Sequence, residues 1–399
     1  MKHIRAQLLF FVAVKAVLNT MYRMIYPFLS VIARGLGVDL RTMSLALSVR
    51  SASGALGPLL APLSDRKGRP FGMALGVGLF TAGAAAAFFG RGLALFIAAL
   101  VLTTIGKYVF EPAMLAHLGD RVPFGRRGTA LALTEWGWSL AFILGVPAAG
   151  FLIVRFGWRS PFLVLAGLGL AALTILRVFF FGRNGQEEYA SKPAAGSAGL
   201  AGHVEKYGAV FRSAAARTAL AVIFLGSMAN ETVNVVFGVW LEDSFGLKIA
   251  ALGAVSAVIG LSELGGETLV AGTIDRIGKM RALFIGFGAN AVVSLLLPLG
   301  GRSTGVALVA LFAFYLTFEF AVVSVIPLMS EILPGARATL LAFYTAAFSL
   351  GRAAGSGISP LLYRVGFPAV AFAAVALDVM ALLILLYLRG LFRSAGRTP

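Results

Sequence analysis

Glu263 and Glu267 stand one helical turn apart in a stretch that is otherwise apolar, "AVIGLSELGGETLVAG". Two carboxylates on one helix face in a medium of low dielectric repel each other, and sharing a proton relieves that repulsion. Proton exchange is therefore the chemistry this pair suits. Lys15, Asn19 and Arg23 are spaced by four and form a polar stripe on another apolar run, with Tyr22 and Tyr26 beside it. Such a stripe suits the hydrogen-bonding or anionic part of a solute. Lys107 and Glu111 are again four apart, a spacing that an ion pair within one helix satisfies. Asn230, Glu231 and Asn234 cluster in a fourth run, and Glu319 lies between Phe318 and Phe320 in a fifth. Glu135 is followed by Trp136 and Trp138, so a carboxylate lies beside aromatic faces that suit a cationic or amphipathic solute.

These groups are costly where they are. Only 13% of the 399 residues are charged, and the mean hydropathy is +0.90, whereas about a quarter of a soluble domain is charged. Continuous apolar runs of about 20 residues indicate helices that span a bilayer and not the short alternating strands of a barrel. Twelve runs are expected, at 6–33, 42–63, 71–90, 93–117, 128–154, 160–182, 217–241, 249–272, 282–300, 304–330, 338–363 and 367–388. They enclose thirteen charged residues: those named above with Arg50, Arg177, Arg352 and Asp378. Each would cost about 2.5–3.5 kcal/mol at the lipid-facing centre of a helix, so most must pair, snorkel or face water. Arg177 is expected to snorkel, and Asp378 to find a partner. Five of the six embedded bases lie in the first half of the chain and five of the seven acids in the second. That segregation points either to separate roles or to mutual neutralisation across a cavity.

Basic residues orient the chain. Twenty lie in the termini and the loops on their side, against eight in the opposite loops, so both termini are expected in the cytoplasm and the protein in a cytoplasmic (inner) membrane. The first run continues past Leu29 without a small-residue cleavage site and is expected to remain as a span. The polar stretch around "SKPAAGSAG" reads as a linker at 183–216 between a bundle at 1–182 and a bundle at 217–399.

A repeat relates the halves. "SDRKGR" carries Asp65, Arg66, Gly68 and Arg69, and "IDRIGK" carries Asp275, Arg276 and Gly278, an offset of 275 − 65 = 210 residues. Arg127 and Thr129 match Arg337 and Thr339 at the same offset, as Ser139 matches Ser349 and Gly145 matches Gly355. Gly68 permits a tight turn between antiparallel helices, and Asp65 stands where a carboxylate satisfies the open N–H groups of a neighbouring helix.

Twelve spans, a six-plus-six repeat, a central linker and Asp-Arg-x-Gly-basic loops after spans two and eight resemble the major facilitator superfamily over the whole chain. Ala61 and Pro70 stand where that family's loop pattern has a glycine and a basic residue. The resemblance implies an all-helical membrane fold of two six-helix repeats and transport by alternating access. It places spans one, four, seven and ten around a central cavity, and these carry Lys15 with Arg23, Lys107 with Glu111, Glu231, and Glu319. It also makes the two Asp-Arg-x-Gly loops a conformational latch. Gly145-Val-Pro147-Ala-Ala-Gly150 resembles the span-five signature of proton-coupled antiporters, with Val146 and Phe151 in place of glycines, while Leu102 stands where their span-four motif has arginine.

The expectation is a monomeric secondary transporter that moves a small organic solute against protons in contact with membrane lipids. Efflux is favoured over proton-coupled uptake of an organic anion or sugar. A receptor or channel on the same fold is the alternative from another class. Nothing points to an enzyme, a cofactor, a metal site or nucleic-acid binding: HExxH, GxSxG and P-loop motifs are missing, cysteine is absent, and His3, His117 and His203 are scattered.

Overall fold

A computed structural model describes residues 2–57, 68–122, 133–180 and 200–394. Within them the chain is helical. Span one is α1 (Lys2–Arg23) followed by α2 (Leu29–Leu36), and the described part of span two is α3 (Leu40–Ser53). Spans three to six are α4 (Arg69–Phe89), α5 (Leu93–Arg121), α6 (Leu133–Phe156) and α7 (Ser160–Phe180). After a connecting helix, α8 (Leu200–Arg212), the second half comprises α9 (Ala214–Phe245), α10 (Ile249–Ile277), α11 (Lys279–Leu296), α12 (Thr304–Ile332), α13 (Arg337–Tyr363) and α14 (Phe367–Ser394).

Nine of these helices are long and apolar enough to cross a membrane by themselves. The other three expected spans fall short for local reasons. Span one is diluted by Gln7, Lys15, Asn19 and Arg23, and it breaks at Met24–Phe28, where Pro27 has no N–H to continue the helix. Span two is described only as far as Gly57. Span eleven is diluted by Ser349, Arg352, Ser356 and Ser359, all of them buried.

The repeat is visible in the backbone. Gly68 and Gly278 precede α4 and α11 with φ of 92° and 83°, a region that glycine enters without steric cost. Gly145 lies against Thr20 of span one, and Gly355 lies against span seven, where a Cβ would stand 2.8 Å from that of Glu231. Spans five and eleven thus pack on spans one and seven through glycines 210 residues apart. Beside Pro147, α6 widens into a π-turn at Ala141–Gly145.

Polar contacts between the halves run from mid-membrane toward the side opposite the termini. Ser30 of α2 donates to Glu242 of α9, and Arg34 pairs with the same carboxylate at 2.9 Å. The backbone of Pro27 packs on Gly238, and α10 lies against the π-turn of α6 through Gly260. Tyr108 meets Ser349 at 3.1 Å. Toward the termini, Glu135 and Trp136 are each 52% exposed. Glu267 on the facing half is partly exposed and close enough to Glu135 to act on it electrostatically.

Candidate functional site

Arg23 ends α1 with its guanidinium at the junction of the halves. It donates to Glu263 of α10 at 2.5 Å and to the carbonyl of Trp138 at 3.1 Å, and it rests on the rings of Trp138 and Phe142. Both partners of the ion pair are only 3% exposed. One oxygen of Glu263 is engaged; Oε2 has no hydrogen-bond partner among the described residues. Glu267 lies one turn toward the termini, and Glu319 of α12 packs over Gly266, where a Cβ would come within 2.9 Å of its own. Three carboxylates therefore gather where spans eight and ten meet, with Arg23 opposite them.

A second network is centred on Glu231. Its Oε1 accepts from the hydroxyls of Tyr26 and Ser356, each at 2.9 Å, and its Oε2 accepts from Asn234 at 3.2 Å with Arg352 Nε at 3.7 Å. Tyr315 holds Asn234 in turn at 2.8 Å. Arg50, fully buried, donates to the Tyr26 hydroxyl at 2.6 Å and to the Tyr22 carbonyl at 2.8 Å. Spans one, two, seven, ten and eleven are tied by this one set.

The expected residues are thus brought together in part. The Lys15, Asn19 and Arg23 stripe faces α6: Lys15 pairs with Glu135 at 2.8 Å, and Asn19 donates to the Gly137 carbonyl at 3.4 Å. Lys107 and Glu111 are paired at 3.9 Å. Tyr26 and Asn234 sit on Glu231, whereas the Asn230 amide nitrogen has no partner among the described residues. Arg69 and Gly68 open α4, and Asp275, Arg276 and Gly278 close α10 with both charged side chains exposed. Asp65 and Arg66 lie outside the described residues.

One expectation fails. Asp378 of α14 is 1% exposed, makes no ion pair among the described residues, and leaves Oδ2 without a hydrogen bond there. Arg177 is exposed, as a snorkelling residue should be. The site also includes Tyr315 of span ten, and Arg50, Arg352 and Ser356 of spans two and eleven, which a reading confined to spans one, four, seven and ten omits. The signal for the two arginines was present: a guanidinium cannot lose its charge, so one inside a span must have a partner.

A two-part helical bundle with paired charges buried at its midplane is the architecture of a membrane carrier. The model of the Major Facilitator Superfamily matches residues 11–356, and the chain belongs to that family of secondary transporters. Among its relatives, the MFS-type transporter YwfA of Bacillus subtilis is 25% identical over 363 residues, covering 89% of this chain and 85% of that one. The inner membrane transport protein YdhP of Escherichia coli O157:H7 is 26% identical over 380 residues, covering 93% and 91%. In fold, a POT family transporter solved with a thioalcohol-conjugated peptide aligns with a TM-score of 0.77 at 13% identity, over 98% of this chain and 96% of that one. A D-xylose-proton symporter aligns at 0.75 and 16% identity, over 95% and 96%.

Proposed function

We propose that this transporter exchanges a small organic solute for protons across the cytoplasmic membrane, by rocking of the bundles at 1–182 and 217–399 with both termini in the cytoplasm. The observation that carries the reading is the Arg23–Glu263 pair, which joins the halves at the midplane with one carboxylate oxygen unpartnered among the described residues. Intact, the pair ties the two halves together. A proton on Glu263 cancels the attraction, and a solute that engages Arg23 replaces it. Either event frees the halves to move, and the empty form does not move, which is the rule an antiporter needs. Glu267 and Glu319 offer the proton a route toward the side of the termini. The likeness of the helical stretch Gly145–Gly150 to the antiporter signature favours efflux, and the loops at Asp65–Arg69 and Asp275–Gly278 serve as the latch on the cytoplasmic side.

The test is accumulation. Purified protein is screened by thermal shift against amphipathic drugs, sugars and organic anions at acidic and neutral pH, since a ligand of the folded state raises the melting temperature. The strongest hit is then followed in proteoliposomes under an imposed pH gradient. Gradient-driven accumulation abolished by a protonophore is the expected result. Solute flux that only equilibrates would identify a channel, and accumulation indifferent to pH would remove the proton.

A further inference from the structure

Tyr22, one turn before Tyr26, is encircled by cations. The Arg50 guanidinium carbon lies 3.9 Å from its ring centroid and Lys107 Nζ 4.9 Å. The Arg352 guanidinium carbon lies 5.8 Å away, and its Nη1 donates to the Tyr22 hydroxyl at 3.4 Å. All four side chains are buried. The acids available to them are fewer. Glu231 stands 3.7 Å from Arg352 and reaches Arg50 only through Tyr26, while Glu111 is 3.9 Å from Lys107, at the limit of an ion pair. Three positive charges thus share two negative ones. The Nε atoms of both arginines make no hydrogen bond among the described residues. Removing a charge from water costs several kcal/mol unless a counter-charge compensates, so the group this cluster lacks is an anion.

Its surroundings specify more. Lys107 Nζ lies 4.6 Å from the Trp138 ring and 5.8 Å from that of Tyr108, and the Arg352 guanidinium lies 4.9 Å from that of Phe348. These three rings are only half-buried, in contrast to the cations they cover. A planar apolar body is accommodated among rings, and its charged end then reaches the cations behind them.

We infer that the cluster of Tyr22, Lys107 and Arg352 binds the anionic group of an aromatic solute, with Trp138 and Phe348 against its ring system. The inference rests on the carrier reading and names the class of solute for that site. A carboxylate there accepts from Lys107 Nζ, an Arg352 nitrogen and the Tyr22 hydroxyl.

Three probes of one shape separate charge from hydrophobicity: naphthoate, naphthylmethanol and naphthylmethylammonium, each titrated into the purified protein with melting temperature and tryptophan fluorescence as readouts. Naphthoate is expected to bind and stabilise, and the other two are not. Lys107→Gln should weaken naphthoate about tenfold, the loss expected for one charge-assisted hydrogen bond, and Lys107→Arg should restore it. Tyr22→Phe, which keeps the ring, should weaken it by a smaller factor and serves if Lys107→Gln does not fold. Stabilisation by the ammonium probe equal to that by naphthoate overturns the inference, as does an unchanged naphthoate affinity in Lys107→Gln or Tyr22→Phe. Binding is read without any proton gradient, so a failure of proton coupling leaves this result standing. Conversely, silence of all three probes overturns the anion site while leaving gradient-driven transport of another solute open to measurement.

Discussion

Glu231 and Glu263 are both buried carboxylates of the second half that reach across to span one, yet they are held in opposite ways. Glu231 has donors on both oxygens, from Tyr26, Ser356 and Asn234, with Arg352 alongside. Glu263 has one donor, Arg23, and an oxygen with no hydrogen-bond partner among the described residues. On the proposed reading the first carboxylate holds the halves in register and the second lets them go.

The largest effect follows from cutting the rigid network. Glu231→Ala strands Arg352 and the Tyr26 hydroxyl, and removing one partner of a buried pair costs about 3–5 kcal/mol. The melting temperature in detergent should fall more in this variant than in any other single variant here, with no recovery on changing pH. Next is Glu263→Gln, which keeps the shape and a hydrogen bond to Arg23. It should fold normally but behave as though protonated, so solute exchange persists while the pH gradient no longer drives net transport in proteoliposomes. If Glu263→Gln melts as early as Glu231→Ala, the two carboxylates do not differ in the way drawn here.

Weaker still is Glu135→Gln. Its carboxylate is half open to solvent although Lys15 is buried, so the loss of stability should be smaller than in Glu231→Ala. The smallest effect lies at Asp39, outside the membrane, which caps α3 by accepting the Thr42 N–H at 2.8 Å. Hydrogen bonds from the Thr42 side chain and backbone hold its carboxyl below the usual range. Its contribution is present at neutral pH and disappears as the pH falls through that lowered value. A melting-temperature difference between wild type and Asp39→Ala should therefore shrink in acid.

Much of this arrangement is legible in the chain. Repetition at 210 residues foretells the matched turns at Gly68 and Gly278 and the matched contacts of Gly145 and Gly355, because equivalent helices meet equivalent backbones. Helical spacing also places Lys15, Asn19 and Arg23 on one face, and pairs Lys107 with Glu111, since both are local properties of a helix. Partners set by tertiary packing are not legible. Nothing near Arg23 in sequence names Glu263, 240 residues away. The order of Arg50, Tyr26 and Glu231 likewise exists only once spans one, two and seven are packed. Asp378 shows the opposite failure: an embedded carboxylate demands a partner on energetic grounds, yet among the described residues it makes no ion pair and its Oδ2 no hydrogen bond.

The coupling of Glu263 to the motion of the halves can be measured without knowing the solute. The chain has no cysteine, so Arg41→Cys with Lys248→Cys puts one spin label on each half at exposed positions on the side opposite the termini. Pulsed electron-electron distances should be short at neutral pH and gain a longer population in acid, and Glu263→Gln should show that longer population at both. A distance distribution that shifts with pH in Glu263→Gln just as it does in wild type would contradict the account.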